Sequence, residues 1–288
     1  MITYKKLIET VRQGLSGAGI ENAAFEAKEL LGLAIGTDCR SGAFLKAVEG
    51  NVSGEAAARF LALADRRKKG EPLQYILGQW EFYGLPFKVG EGVLIPRQDT
   101  EALVELAVEK NRRRNGLTVI DLCSGSGCIG ISVEKNLDCK RVVCVEKSPE
   151  AVKYLERNID INGSGAEIIR GDVFEAEVME KAPEADLIVC NPPYLSSEDM
   201  ANLQREVAFE PESALFGGAD GMDFYRNITR LWKKKLRQGG MMIFEIGIGQ
   251  EQEVMDIMIR RGFINVRARK DLCGIYRVVF GEIGKKRF

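Results

Sequence analysis

Asp186-Leu187-Ile188-Val189-Cys190-Asn191-Pro192-Pro193-Tyr194 couples a short apolar run to a turn that no sheet can continue. The run Asp186–Cys190 reads as a buried parallel strand, since a strand covered on both faces loses its polar alternation. Two successive prolines have no N–H to give a ladder, so the chain leaves the sheet in a rigid, extended turn. The first proline also keeps Asn191 out of the helical region. The side-chain oxygen of Asn191 and the backbone oxygen of Pro192 are thereby held at the C-terminal edge of a sheet, where open α/β sheets bind ligands. Two convergent acceptors suit an –NH2 group. A plain strand-ending turn has the same local chemistry, and the rest of the chain decides between the two.

Working outward, strands and helices alternate from Leu117 onward. Strands are expected at 118–122, 141–146, 166–170, 186–190 and 241–246, with helices between them. One helix opens at Ser148-Pro149-Glu150, an N-cap followed by proline at the first helical position. Another is expected from near Asp223 to Gly239-Gly240. Such alternation implies a doubly wound parallel sheet with right-handed crossovers. After a helix over 250–261, segments 263–268 and 275–280 read as two more strands, antiparallel because only a short turn separates them. The expected fold is α/β, a seven-stranded Rossmann-like sheet with an end hairpin.

The first of these strands ends in Asp121-Leu122-Cys123-Ser124-Gly125-Ser126-Gly127-Cys128-Ile129-Gly130. Glycines 125 and 127 allow a sharp turn and a close backbone approach ahead of a helix N-terminus. The fragment also satisfies G-x-G-x-x-G, so a dinucleotide is one candidate ligand. In either case an acid ending the second strand binds ribose hydroxyls, and Glu146 stands there. Asp172, after the third strand, is placed to accept an adenine amino proton, with Val173 packing on the base. Thus Cys123, Ser124, Gly125, Ser126, Gly127, Glu146, Asp172, Val173 and Asn191 are the candidate cofactor residues. A dehydrogenase would need an acid–base partner for its hydride acceptor, and the chain has no histidine. Glycine loop, Glu146, Asp172 and Asn191 at four successive strand ends form a methyltransferase pattern, which implies S-adenosylmethionine.

Upstream, residues 1–70 read as a helical bundle. One stripe runs through Tyr4, Leu7, Ile8, Val11 and Leu15, a second through Ala23, Ala27, Leu30, Leu31 and Ala34. A third follows Ser53. No cluster of reactive residues occurs there, so the bundle reads as a packing or partner-docking module. Residues 71–96 carry aromatic and β-branched residues around glycines, the texture of a β-hairpin linker. Asp99 or Thr100 is expected to cap the next helix, and residues 97–288 form the catalytic domain.

The chain has 288 residues, 45% of them hydrophobic and 29% charged, as in an ordinary globular protein. Its formal net charge of −1 supplies no global field for nucleic acid. The basic runs Arg66–Lys69, Arg112–Arg114, Lys233–Lys235 and Lys285–Arg287 read as solvated helix ends or tails. Seven cysteines, none in a CxxC spacing, read as reduced thiols of a cytoplasmic protein. No 18-residue apolar span or leader pattern occurs, so no membrane association is expected, and no metal site.

Asp121–Gly127 resembles motif I of class I S-adenosylmethionine-dependent methyltransferases, and Asn191–Tyr194 resembles the D/N/S-P-P-Y/F motif of amide and amino methyltransferases. Pro72-Leu-Gln-Tyr-Ile-Leu-Gly78, Phe82-Tyr-Gly-Leu85, Leu94-Ile-Pro-Arg97, Glu210-Pro211 and Asp220-Gly221 narrow the resemblance to the PrmC/HemK family. Cys123 stands where that family more often has Gly or Ala, Glu146 replaces a commoner Asp, and Gln98 departs from its Pro-Arg-Pro string. The resemblance implies N5-methylation of the glutamine in the Gly-Gly-Gln loop of class-1 translation release factors, with the helical bundle docking the partner. Asn191, Pro192 and Tyr194 would be catalytic, and Asn191, Pro192, Pro193 and Tyr194 would bind the substrate amide. A DNA adenine or rRNA guanine N-methyltransferase would use the same two acceptors, but must also grip phosphates.

Overall fold

The computed structural model describes residues 3–50 and 53–284, which leaves the Lys285–Arg287 run outside. The chain forms two compact units, one comprising the residues up to Gln79 together with Arg205–Phe209, the other Trp80–Gln204 with the residues from Glu210 onward.

The first unit is helical: α1 (Tyr4–Gly17), α2 (Ala23–Ile35), α3 (Gly42–Val48), α4 (Gly54–Lys68) and α5 (Leu73–Leu77). The expected stripes contribute its core: Leu7, Val11 and Leu15 of α1 and Ala27, Leu30 and Leu31 of α2 are buried, and the two helices pack together. Thr3, Ser41 and Ser53 cap α1, α3 and α4 through side-chain oxygens. Two local readings change. Leu73–Leu77, expected as part of a hairpin, is a short helix closed by Gly78 at φ 71°. Arg67, expected on a solvated helix end, is buried and donates to Glu26 at 2.5 Å and to Glu206 at 2.5 Å. Removing one partner of such a pair strands a buried charge, at a cost of about 3–5 kcal/mol.

The second unit opens with the hairpin β1 (Gln79–Phe82) and β2 (Leu85–Lys88), then α6 (Glu101–Asn111). The alternating elements follow: β3 (Leu117–Leu122), α7 (Cys128–Asn136), β4 (Cys139–Glu146), α8 (Pro149–Ile161), β5 (Glu167–Arg170), α9 (Ala176–Lys181) and β6 (Ala185–Cys190). After α10 (Ser197–Ala201) come α11 (Asp223–Leu231), β7 (Leu236–Glu245), α12 (Glu251–Arg260), β8 (Ile264–Lys270) and β9 (Tyr276–Glu282). The seven strands lie in the order β5-β4-β3-β6-β7-β9-β8. All neighbours are parallel except β7–β9 and β9–β8.

The apolar runs of β3 and β6 serve two cores at once. Val119, Leu187 and Val189 face the layer of α6 and α7, while Ile120, Ile188 and Cys190 face Tyr225, Trp232 and Val254 on the other side. This double coverage is why those strands show no polar alternation. The pair Gly239-Gly240 does not end a helix as expected. It lies inside β7, where Ala185 pairs with Leu236 but Leu187 with Met241, and Gly239 absorbs the extra residues at φ 73°.

Candidate active site

A cavity of about 260 Å³ opens at the C-terminal ends of β3, β4, β5 and β6. It is lined by Cys123, Ser124, Gly125, Ser126, Glu146, Asp172, Val173, Asn191 and Pro193 among the residues singled out in the sequence. Gly127, Pro192 and Tyr194 are not in that lining. Gly127 instead lets helix α7 start close to α8: at φ 80°, a Cβ there would sit 2.3 Å from Leu155.

The glycine loop is held from both sides. Ser124 N donates to Val145 O at 3.1 Å, and Asn158 Nδ2 donates to Ser126 O at 2.9 Å. Glu146 Oε2 accepts from Gly125 N at 2.7 Å, and its Oε1 accepts from Ser148 N at 2.7 Å. The carboxylate is therefore fixed by two backbone amides, with lone pairs left for hydroxyls in the cavity. Cys123 adopts φ 56°, a left-handed conformation that costs an L-residue about 1–2 kcal/mol. That preference explains why glycine suits the position.

Asp121 does not reach the cavity. It is fully buried, its Oδ2 accepts from Gly130 N at 2.8 Å, and Oδ1 has no partner. Burial pushes its pKa up to about 7. Its work is to tie β3 to the start of α7.

Beyond β5, Asp172 accepts from Phe174 N at 2.9 Å and from Lys147 Nζ at 2.8 Å. Val173 is buried, and its carbonyl accepts from Trp232 Nε1 at 2.8 Å. Sequence reasoning missed the rings beside it. Phe174 and Phe224 both line the cavity with centroids 4.8 Å apart and ring planes tilted by 43°, giving an apolar wall next to Val173. The neighbouring Phe174 was the available signal; Phe224 is 50 residues further on in α11 and carried none.

The turn after β6 is pinned in place from several directions. Leu195 N donates to Leu215 O and Gly217 N to Leu195 O, at 2.9 and 2.8 Å. Gln250 Nε2 donates to Tyr194 O at 2.9 Å. A Cβ on Gly221 would lie 2.3 Å from Tyr194 O, and one on Gly217 would lie 2.7 Å from Pro193 O. Tyr194 itself is mostly buried, and burial raises its phenol pKa. The remaining wall comes from Leu94–Arg97 and from Pro211, Ser213 and Ala214. Arg97 donates to Glu210, whose side chain is 1% exposed and also accepts from Ile95 N at 3.0 Å.

The residues present fit an adenosyl group: a fixed carboxylate for ribose hydroxyls, an apolar wall with two rings for a base, and a glycine loop open to close approach. Asn191 lines the same cavity.

Two family models match the chain, the PrmC N-terminal domain over residues 6–78 and the Methyltransferase small domain over residues 98–215. The release factor glutamine methyltransferase of Geobacter sulfurreducens is 41% identical over 283 residues, covering 98% of this chain and 97% of that protein. The release factor glutamine methyltransferase of Koribacter versatilis is 34% identical over 282 residues, covering 98% and 99%. Among solved structures, a methyltransferase from Pyrococcus furiosus superposes with a TM-score of 0.54 at 17% identity, over 70% of this chain and 91% of that one. That likeness shows the fold.

Proposed function

The chain belongs to the release factor glutamine methyltransferase family, and on that premise we propose that it methylates the side-chain nitrogen of the glutamine in the Gly-Gly-Gln loop of class-1 release factors. The observation that carries the reading is the placement of Glu146 and Asn191 on one cavity, with the glycine loop between them. The methyl donor is S-adenosylmethionine, which supplies an electrophilic sulfonium methyl when bound. Glu146 would hold its ribose, Asp172 its adenine amino group, and Val173 with Phe174 and Phe224 the face of its base.

An amide nitrogen is a weak nucleophile because its lone pair is delocalised into the carbonyl. Catalysis therefore rests on positioning and charge placement. Asn191 Oδ1 and the Pro192 carbonyl accept the two N–H bonds of the glutamine amide. That fixes the nitrogen in line for transfer and favours its pyramidal form. Tyr194 packs beside the amide and keeps water out. The nitrogen would take the methyl as the S–CH3 bond breaks to leave a neutral thioether, and would then lose a proton to solvent, so no residue need act as a base in the transition state.

The helical unit would dock the release factor. With a formal net charge of −1, nucleic acid is not an expected direct partner, and the cytoplasm is the expected place of work. The reading is tested by incubating the protein with S-adenosylmethionine and a class-1 release factor and mapping the product by peptide mass spectrometry. The mass of one added methylene group is expected on the Gly-Gly-Gln glutamine. A methyl on any other residue overturns the substrate assignment.

A further inference from the structure

Thr100 is buried and lines the cavity, yet it does not cap α6 as its sequence context predicts. Its backbone is already helical, at φ −65° and ψ −23°, and its side chain makes no capping bond. The hydroxyl turns instead toward two other side chains. It accepts from Asn191 Nδ2 across a long 3.5 Å, and the buried Glu245 carboxyl lies beside it. These two partners end neighbouring strands: Cys190 of β6 pairs with Phe244 of β7, so Asn191 and Glu245 are the next residues along. Glu245 is 2% exposed, and its Oε2 has no hydrogen-bond partner.

A threonine hydroxyl has a single proton, and in the contact with Asn191 its oxygen is the acceptor. That proton is left to turn toward the Glu245 carboxyl, which keeps the Thr100 oxygen as the acceptor for Asn191 Nδ2. An acceptor at that place draws the –NH2 of Asn191 and turns its carbonyl oxygen away. We infer that Thr100, backed by Glu245, is a positioning residue that sets the direction of the Asn191 carboxamide, so that oxygen rather than nitrogen meets the substrate –NH2. The inference rests on the functional reading above, in which Asn191 is an acceptor. A reversed carboxamide would set donor against donor at the reacting nitrogen. The position is also remote in sequence, which is why no local motif marks it.

Three variants test this in the full-length enzyme with S-adenosylmethionine and a class-1 release factor. Thr100→Val keeps the shape and removes the acceptor; kcat should fall about tenfold or more, as slight misplacement of a catalytic group does. KM for the release factor and the calorimetric affinity for S-adenosylmethionine should stay within about twofold, since neither contact is lost. Thr100→Ser restores the hydroxyl and should bring kcat back to within about threefold of wild type. Glu245→Gln offers a carboxamide that donates as well as accepts, so both directions of the chain become open and kcat should again fall with cofactor affinity intact. Wild-type kcat in Thr100→Val overturns the inference; should that variant fail to fold, wild-type kcat in Glu245→Gln does the same. A wild-type enzyme that leaves the glutamine unmethylated rejects the functional reading instead, whatever the variants do.

Discussion

Arg97 donates to Glu210 across the rim of the cavity, joining the wall that precedes α6 to the wall that follows the Asn191–Tyr194 turn. The pair is lopsided: the Arg97 side chain is 39% exposed and that of Glu210 only 1%. Arg97→Ala would leave a buried carboxyl without its counter-charge. Fully buried pairs broken this way cost about 3–5 kcal/mol, and the partial exposure of Arg97 reduces the expectation to about 2 kcal/mol. Burial already raises the Glu210 pKa above its ordinary value. A carboxyl with a raised folded pKa is stabilising when protonated and loses that contribution as pH rises through the folded pKa. The variant's deficit should thus be largest at alkaline pH and shrink on acidification. Urea unfolding at two pH values measures it, and an equal deficit at both contradicts this account.

Glu146 should matter for cofactor affinity beyond its own contact. Its two oxygens hold the amides of Gly125 and Ser148, so removing them loosens the loop as well as the proposed ribose contact. Glu146→Ala is expected to weaken S-adenosylmethionine by roughly 10–100-fold, the scale of losing one or two charge-assisted hydrogen bonds. Calorimetric titration reads this directly, and an unchanged affinity would remove Glu146 from the site.

Gly221 tests the rigidity of the turn without touching its chemistry. A Cβ there meets Tyr194 O, and the residue's φ of 76° adds strain for any L-side chain. Gly221→Ala should lower kcat by about tenfold or more through displacement of the Pro192-Pro193-Tyr194 backbone. Affinity for S-adenosylmethionine should hardly change, because the glycine loop and Glu146 are elsewhere. Equal losses in both measurements would point to general misfolding.

Asp121 gives a sharp pH signature. Its pKa is about 7 in the folded protein against an ordinary value of 3.8, so the native state holds a proton that the unfolded chain releases. Stability should therefore fall as pH rises between these values, by roughly 1 kcal/mol per pH unit from this group alone. Asp121→Asn should remove that slope. Unfolding free energies measured from about pH 4 to pH 8 decide it, and an unaltered slope would mean that Asp121 titrates normally.

Much of this arrangement was legible because it follows from local chemistry. The β6 run ending in two prolines could only be a strand leaving a sheet, and Gly125 and Gly127 mark a backbone turning at a helix start. The misread segments share one cause, which is tertiary context. Gly239-Gly240 looks like a helix end, yet it serves as a bulge in β7. Arg67 looks solvated until Glu26 and Glu206 are brought to it from distant segments. Thr100 looks like a cap because sequence shows only its neighbours along the chain; its partner Asn191 is 91 residues away. Glu245 ends an apolar strand and gives no local sign of function. Residues that support a site from behind are chosen by strand order, which spacing in a single sequence does not encode.

The central claim is that Asn191 holds the substrate amide. Single-turnover methylation of a class-1 release factor by Asn191→Ala, run alongside calorimetric binding of S-adenosylmethionine, tests it most directly. Loss of an oriented contact of this kind predicts a rate lower by about 100-fold or more, with cofactor affinity within a few-fold of wild type. Methylation of the Gly-Gly-Gln glutamine at the wild-type rate would contradict the account.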